Sequence, residues 1–381
     1  MARNMRPSAS LARYHRAGRE AGYAEGLAAG YHLGRCEAVN RQISGLPERR
    51  WDVKIMYVTS GKWYPYKPID DAIARGLLPI VREVSCFRWR IPTRGYPKQD
   101  LVGAVLRERP DLVICLDGIA MDLKQIDRIR SAGFRTAVWL TDDPYFTDVT
   151  SKIALHFDYV FTLELNCVEF YKQIGCPQVH YLPLAADTAM FRPRRVEPGL
   201  RRDVSFIGSG YWNRVRAIDA VSPYLAAKRV RFVGQWWNRL RSYKRFARDI
   251  ELNRWLLPQD TAAAYNGSKI VLNIHRAHDD ASYNNNRLLI PAVSPNPRTF
   301  EIAACGAFQL TDVREDIVRF YVPGEEIVTY QSPEDMVAKI EYYLTHESER
   351  REIAIRALRK TLEQHTYPKR LAELLRTVFG D

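Results

Sequence analysis

Arg298 and Glu301, three residues apart in the run Arg298-Thr-Phe-Glu-Ile-Ala-Ala-Cys-Gly306, are the side chains whose types and spacing offer chemistry most directly. On a helix that spacing puts both on one face. Pro295 and Pro297 restrict the approach, and Gly306 supplies the turn that ends the helix before a strand over 307–310. The unit sets a guanidinium and a carboxylate at the mouth of a cleft beside strand ends, where open α/β sheets bind ligands. A second set is acidic. Asp117 and the pair Asp142-Asp143 follow runs read as buried strands, over 112–116 and 136–140, so they stand where a carboxylate can take a proton from an attacking hydroxyl. The Asp-Asp pair could equally hold a divalent cation, and Asp142 could be a turn or helix cap. A third set is the turn Gly208-Ser-Gly-Tyr-Trp-Asn-Arg214, whose backbone N–H groups at a helix start suit phosphate, with Arg214 or Arg216 to neutralise charge. Many such turns serve packing alone. Asn273 and His275 alternate on a strand over 270–274 and so face one side near its end; a histidine there is either structural or part of the site.

The elements that must position these groups read as two α/β series. From Trp51, strands over 53–58, 84–89, 112–116, 136–140, 159–163 and 180–182 alternate with helical patterns such as 69–78, 100–108 and 123–132. That alternation predicts a parallel sheet covered on both faces. Residues 192–198, with two prolines and three arginines, read as a linker. A second series follows, with strands over 204–207, 230–233 and 270–274, helices over 215–225 and 261–266, and then the Arg298 unit. Helices over 332–343 and 347–379 close the chain, the last expected to break at Pro368. Ahead of all this, residues 8–40 read as a helix with Gly18, Gly22, Gly26, Gly30 and Gly34 at every fourth position, a bare stripe on which another helix could pack. Self-association and docking on the body are both open. So is a loosely ordered extension.

A chain of 381 residues exceeds what one core usually supports. No apolar run approaches the roughly 18 residues of a membrane span. The start of the chain carries no apolar signal core, and six scattered cysteines without a CxxC pair read as reduced thiols in a cytoplasm, with no zinc signature. The net charge of +13 favours an acidic partner such as a nucleotide phosphate, a nucleic acid or a membrane surface, with local clusters at 192–202 and 239–248. A solvated basic surface accounts for it equally well. No nucleic-acid-binding motif accompanies it.

The Arg298 unit, with Val322-Pro-Gly-Glu-Glu-Ile-Val-Thr-Tyr330, Ser332-Pro-Glu-Asp-Met336 and the charged helical tail, resembles the C-terminal domain of group 1 glycosyltransferases, in particular their CgeB or spore-maturation branch. The resemblance implies a GT-B fold: two Rossmann-like domains facing a central cleft, here preceded by the helical extension. It divides the chain into the extension (1–48), an acceptor domain (49–195), a donor domain (196–345) and terminal helices crossing back (346–381). It also implies transfer of a sugar from a nucleotide donor, a UDP-sugar foremost, with no other cofactor and no metal. Glu301 takes the place of the glutamate that grips the donor ribose, and Arg298 beside it suits the diphosphate. Thr299 and Phe300 complete that unit, Asn273 and His275 match an "LN-H" preceding it, and Gly208, Ser209 and Arg214 are the further donor-binding candidates. Asp117, Asp142, Asp143 and His275 are the catalytic candidates, while the polar loop 276–287 with Asn284, Asn285 and Asn286 would close over the donor sugar. Related retaining enzymes carry a second glutamate eight positions before the first, where this chain has Val293. The acceptor could be a protein, a glycan or a nucleic acid. A reading of another class is a transferase-like scaffold without turnover, assembling through its basic surface and N-terminal helix.

Overall fold

The computed structural model describes residues 9–91, 99–119 and 121–380. Two six-stranded, all-parallel sheets organise them. The first contains β1 (Trp51–Val58), β2 (Val81–Phe87), β3 (Leu112–Leu116), β4 (Thr136–Leu140), β5 (Tyr159–Thr162) and β6 (Gln178–Tyr181), in the order 2-1-3-4-5-6. The second contains β7 (Arg202–Ile207), β8 (Val230–Gly234), β9 (Ile250–Leu252), β10 (Ser268–Asn273), β11 (Gln309–Asp312) and β12 (Val328–Tyr330), in the order 12-11-10-7-8-9. In each sheet the first strand in sequence lies inside, so the order reverses beside it. Both switch points, β1/β3 and β7/β10, open a crevice at the carboxyl ends of the strands.

The expected βαβ rhythm rests on strands such as Leu-Val-Ile-Cys-Leu in β3 and Thr-Ala-Val-Trp-Leu in β4, every residue of which is buried. Burial on both faces demands such unbroken apolar runs, each large side chain contributing roughly 1.5–3 kcal/mol. The helices of the first series are α2 (Tyr66–Leu77), α3 (Leu101–Glu108), α4 (Leu123–Ser131), α5 (Thr147–Ala154) and α6 (Leu165–Gln173). Those of the second are α7 (Trp212–Leu225), the short α8 (Tyr243–Phe246), α9 (Pro258–Asn266), α10 (Pro297–Ala304), α11 (Pro333–Thr345) and α12 (Glu347–Gln364). Two cores flank each sheet.

The chain passes between the sheets twice. The first passage follows β6, and the second lies between α12 and α13 (Tyr367–Phe379), where the Ala186 N–H donates to the His365 carbonyl and the Tyr367 N–H to the Ala186 carbonyl. Helix α13 then packs on α2 of the first sheet; a Cβ on Gly76 would stand 2.9 Å from a Leu371 methyl. Pro368 does not break a helix as expected. The interruption falls at His365 and Thr366, and Pro368 sits in the first turn of α13, where its missing N–H costs nothing.

The N-terminal helix α1 spans Ala9–Gln42, while residue 8, the expected start, lies outside the described residues. Its C-terminal part docks on α12 through Cys36 and Val39 against Ile355, Leu358 and Leu362, and through the Arg35–Glu352 ion pair. The glycine stripe is not the docking face. Apart from the helix's own backbone and adjacent residues, no described atom lies within 4 Å of where a Cβ would stand on Gly18, Gly22, Gly26, Gly30 or Gly34.

Candidate functional site

A cavity of about 590 Å³ lies between the carboxyl ends of the two sheets. Its second-domain wall begins at α10, where Arg298 and Glu301 both line it. Asn296 caps α10, its side chain accepting from the Thr299 N–H at 3.3 Å. Asn273 Nδ2 donates to Thr299 Oγ1 at 3.0 Å, and Asn296 Nδ2 donates to Asn273 Oδ1 at 2.9 Å. Phe300 points the other way, into a core with Phe320, Tyr321 and His365. Of the expected donor contacts, Asn273, Thr299 and Phe300 therefore do not face the cavity. They hold the helix that presents Arg298 and Glu301, since neighbouring residues of one helix turn cannot share a face.

Three guanidiniums, those of Arg214, Arg276 and Arg298, line the cavity near Ser209. Arg214 is buried, its Nε donating to the Ile274 carbonyl (2.8 Å) and Nη1 to the Ser209 carbonyl (3.0 Å). Arg298 lies 5.5 Å from the Phe206 ring centre, and its Nη1 is buried without an acceptor. Arg276 stands 4.6 Å from the ring centres of both Tyr145 and Tyr211, its Nε likewise without an acceptor. Among the described residues no carboxylate forms an ion pair with any of the three. Burial, with Arg298 adding repulsion, pushes Arg214 down to about 9. One buried and two half-buried cations held together without counter-ions favour an anion between them.

Glycines allow this convergence. Gly208 has φ +149°, and a Cβ there would meet the Arg298 guanidinium carbon at 3.4 Å. Gly234, at φ +142°, lets the β7 and β8 turns close up, for a Cβ on it would fall 2.3 Å from the Gly208 carbonyl oxygen. Within the turn, the Gly208 and Gly210 N–H groups are taken up by the carbonyls of Val233 and Gln235. Gly208 and Ser209 line the cavity beside Arg214. Charge at this point comes from side chains.

The Glu301 carboxylate makes no hydrogen bond or ion pair to another described residue. Burial pushes its carboxyl up to about 7, against the pull of Arg298. A carboxylate left without donors beside unpaired cations can take hydroxyl donors from a ligand.

On the first-domain wall the acidic candidates separate. Asp142 lines the cavity and accepts from Tyr66 Oη at 2.5 Å, with Lys62 Nζ 4.0 Å away. Asp117 is buried behind it at φ +67°, paired with Lys62; burial first, and the nearby Asp142 second, push it up to about 6. Asp143, in the turn that follows β4, points into the core and accepts from the hydroxyls of Thr150 (3.0 Å), Thr162 (2.7 Å) and Tyr171 (2.8 Å). With three donors and no exposure it is a structural carboxylate, not a base facing an acceptor. Lys62 and Tyr66 were not identified from the sequence. The only signal was their position after β1, next to Gly61, at a switch point.

His275 also lies outside the cavity lining. Its Nδ1 is 2.6 Å from Asp312 Oδ1, its backbone N–H donates to the same oxygen at 2.9 Å, and burial pushes the ring down to about 4. The pair ties the end of β10 to β11. The loop expected to close over a sugar is instead clamped to the first domain: Asn286 accepts from Thr147 Oγ1 at 3.0 Å, and the Asp148 N–H donates to the Asn285 carbonyl at 2.9 Å. Glu164 accepts from the N–H groups of Val293 and Ser294, both at 3.2 Å. Only Arg276, at its root, reaches the cavity.

Residues 214–376 match the glycosyl transferase-like family. The spore protein CgeB of Bacillus subtilis (strain 168) is 29% identical over 271 residues, which is 70% of this chain and 82% of CgeB. Among solved structures, a glycosyltransferase from Rickettsia africae superposes with a TM-score of 0.58 at 12% identity, over 87% of this chain and 98% of its own. Sucrose-phosphate synthase from Thermosynechococcus elongatus gives 0.57 at 10%, over 87% and 99%. HepE of Anabaena, solved with UDP and glucose, gives 0.55 at 14%, over 85% and 100%. The two parallel sheets thus have the GT-B fold, residues 214–376 are similar to the glycosyl transferase-like family, and the similarity to CgeB extends over 70% of the chain.

Proposed function

We propose that this protein transfers a sugar from a nucleotide diphosphate donor, UDP foremost, to an acceptor held by the first domain. The observation that carries this reading is the set of three arginines without carboxylate partners, Arg214, Arg276 and Arg298, beside the unbonded carboxylate of Glu301 in the interdomain cavity. A diphosphate supplies the missing anion, and a ribose supplies the missing hydroxyl donors. HepE, similar in fold, was solved with UDP and with UDP-glucose, which supports the choice of nucleotide.

In this reading residues 196–345 hold the donor, residues 49–195 hold the acceptor, and the terminal helices join the two. The acceptor oxygen attacks the anomeric carbon, the bond from that carbon to the diphosphate oxygen breaks, and Arg298, Arg214 and Arg276 take up the charge that develops there. Asp142, the acidic candidate that lines the cavity, accepts the acceptor proton, with Tyr66 and Lys62 holding it in place. Since side-chain cations meet the diphosphate, the transfer needs no metal, and EDTA should leave turnover intact. Restoration by manganese or magnesium after loss on chelation would refute this.

The deciding experiment follows UDP release from a panel of UDP-sugars with candidate acceptors. Release in wild type and its loss in Glu301→Ala support transfer. Tight UDP-sugar binding with no release from any of them would favour the non-catalytic assembly scaffold.

A further inference from the structure

The basic cluster at 192–202 and the glycine stripe of α1 meet at a second cavity, of about 520 Å³, which the transfer reaction does not use. It lies at the amino ends of β7 and β10, where Arg202 and Lys269 stand, and so on the far side of the second sheet from the donor arginines. The roof is α1, fixed there by His32 Nε2 at 2.9 Å from the Gly306 carbonyl and by Arg351, which donates to the Ala28 carbonyl. Eight cationic side chains line the cavity against two carboxylates, Glu25 and Glu347. Asp203, nearby, pairs with two of the eight, Lys269 and Arg229, at 2.9 and 3.3 Å. Arg195 is exposed and makes no hydrogen bond or ion pair to a described residue, and the buried Nε of Arg194 has no acceptor. Glu25 pairs with Arg201 at 3.3 Å and Glu347 with Arg351 at 2.6 Å and Arg350 at 3.6 Å, so Arg194, Arg195 and Arg202 are left without a carboxylate partner among the described residues, and the walls keep an excess of positive charge.

The roof accounts for two of the five glycines of the stripe. Gly26 and Gly30 face the cavity, and nothing stands within 4 Å of where their Cβ atoms would be. Each costs helix stability of about 1 kcal/mol relative to alanine, which a purely structural helix has no reason to bear. Their effect is to keep the space between α1 and the arginines open.

We propose that this cavity binds a ligand carrying two or more linked phosphate groups, separately from the donor site. Linked phosphates match a row of guanidiniums, each of which takes two oxygens at once, better than a single monovalent anion does. The binding is electrostatic and weakens with added salt.

Calorimetric titration with inorganic tripolyphosphate and, in parallel, ATP tests this. Wild type should bind with a dissociation constant that rises steeply between low and physiological salt. The Arg195→Glu/Arg201→Glu double variant should weaken binding at least about tenfold, the size expected when a charge-assisted contact is lost. Gly30→Leu should weaken it comparably while raising the melting temperature, because leucine is the better helix former yet fills the space. Tripolyphosphate and ATP also carry linked phosphates that the central arginines can take, so every comparison is repeated in an Arg298→Ala background; the binding to this cavity should persist there, which separates the proposal from the transferase reading. Equal affinity for tripolyphosphate and ATP means that the phosphate chain alone is recognised; tighter binding of ATP means that the nucleoside is read as well. Absence of tripolyphosphate and ATP binding in the Arg298→Ala background, or binding there that survives both the charge reversal and Gly30→Leu, overturns it.

Discussion

Arg214 and Arg298 press on the same aromatic ring, their guanidinium carbons 5.4 and 5.5 Å from the centre of Phe206, with no carboxylate paired to either. Two like charges share one apolar support, and the absence of a counter-ion makes the empty site electrostatically unfavourable. Arg298→Leu should therefore leave the melting temperature of the ligand-free protein unchanged or raised, while removing most of the stabilisation that UDP gives. Thermal denaturation with and without UDP checks both halves; a drop in the ligand-free melting temperature would show that Arg298 is a structural residue.

Asp142 and Asp143 are adjacent in sequence but opposite in role. Asp142→Asn should bind UDP normally and lose roughly a hundredfold or more in turnover, within the range a positioned base supplies. Asp143→Asn puts an amide where three hydroxyls donate, and it should cost roughly 1–3 kcal/mol of stability with turnover per folded molecule near wild type. Steady-state rates normalised to folded protein decide, and full activity in Asp142→Asn would remove the base from the first domain.

The pH dependence of donor binding follows from Glu301, held at about 7 by burial rather than at its ordinary 4.5. Between those values the folded protein binds the proton more than the unfolded chain does, so this group's contribution to stability falls as pH rises from 4.5 to 7. The ionised carboxylate accepts two hydroxyl hydrogen bonds, so uridine affinity should rise through pH 6–8. Uridine avoids the titration of the ligand's own phosphates. Glu301→Gln should bind more weakly and with no such rise; an identical pH profile in the variant would take Glu301 out of the ribose contact.

Asn273 supports the site from behind. Asn273→Ala strips partners from Asn296 and Thr299 and should cost roughly 1–3 kcal/mol, with a smaller loss in UDP affinity as α10 loses its anchorage. A variant that is fully stable yet fails to bind UDP would place Asn273 in direct contact with the donor.

Long apolar runs made most of the fold legible. The strands at 112–116 and 136–140 are recoverable to the residue because burial on both faces leaves no polar interruption. The edge strands β9 and β12, three residues each, carry too little pattern to read. At the site, Arg298 and Glu301 were legible because helical spacing fixes a shared face. Asp143 and His275 were placed in the site since they stand at strand ends, but that position does not say which way a side chain turns. Lys62, Tyr66 and Arg276 were missed as site residues because two loops and the start of α2, joined only in three dimensions, bring them to the cavity.

The central claim is that unpaired arginines in the interdomain cavity receive a diphosphate, and calorimetric titration of UDP against uridine in wild type and Arg298→Ala tests it most directly. A charge-assisted hydrogen bond contributes about 1.5–3 kcal/mol, or roughly ten- to a hundredfold in affinity. Wild type should accordingly prefer UDP to uridine by at least about a hundredfold, with several such contacts in play, and Arg298→Ala should narrow that preference at least about tenfold while leaving uridine affinity unchanged. Equal affinity for UDP and uridine in wild type, or a preference that survives the substitution intact, would contradict the account.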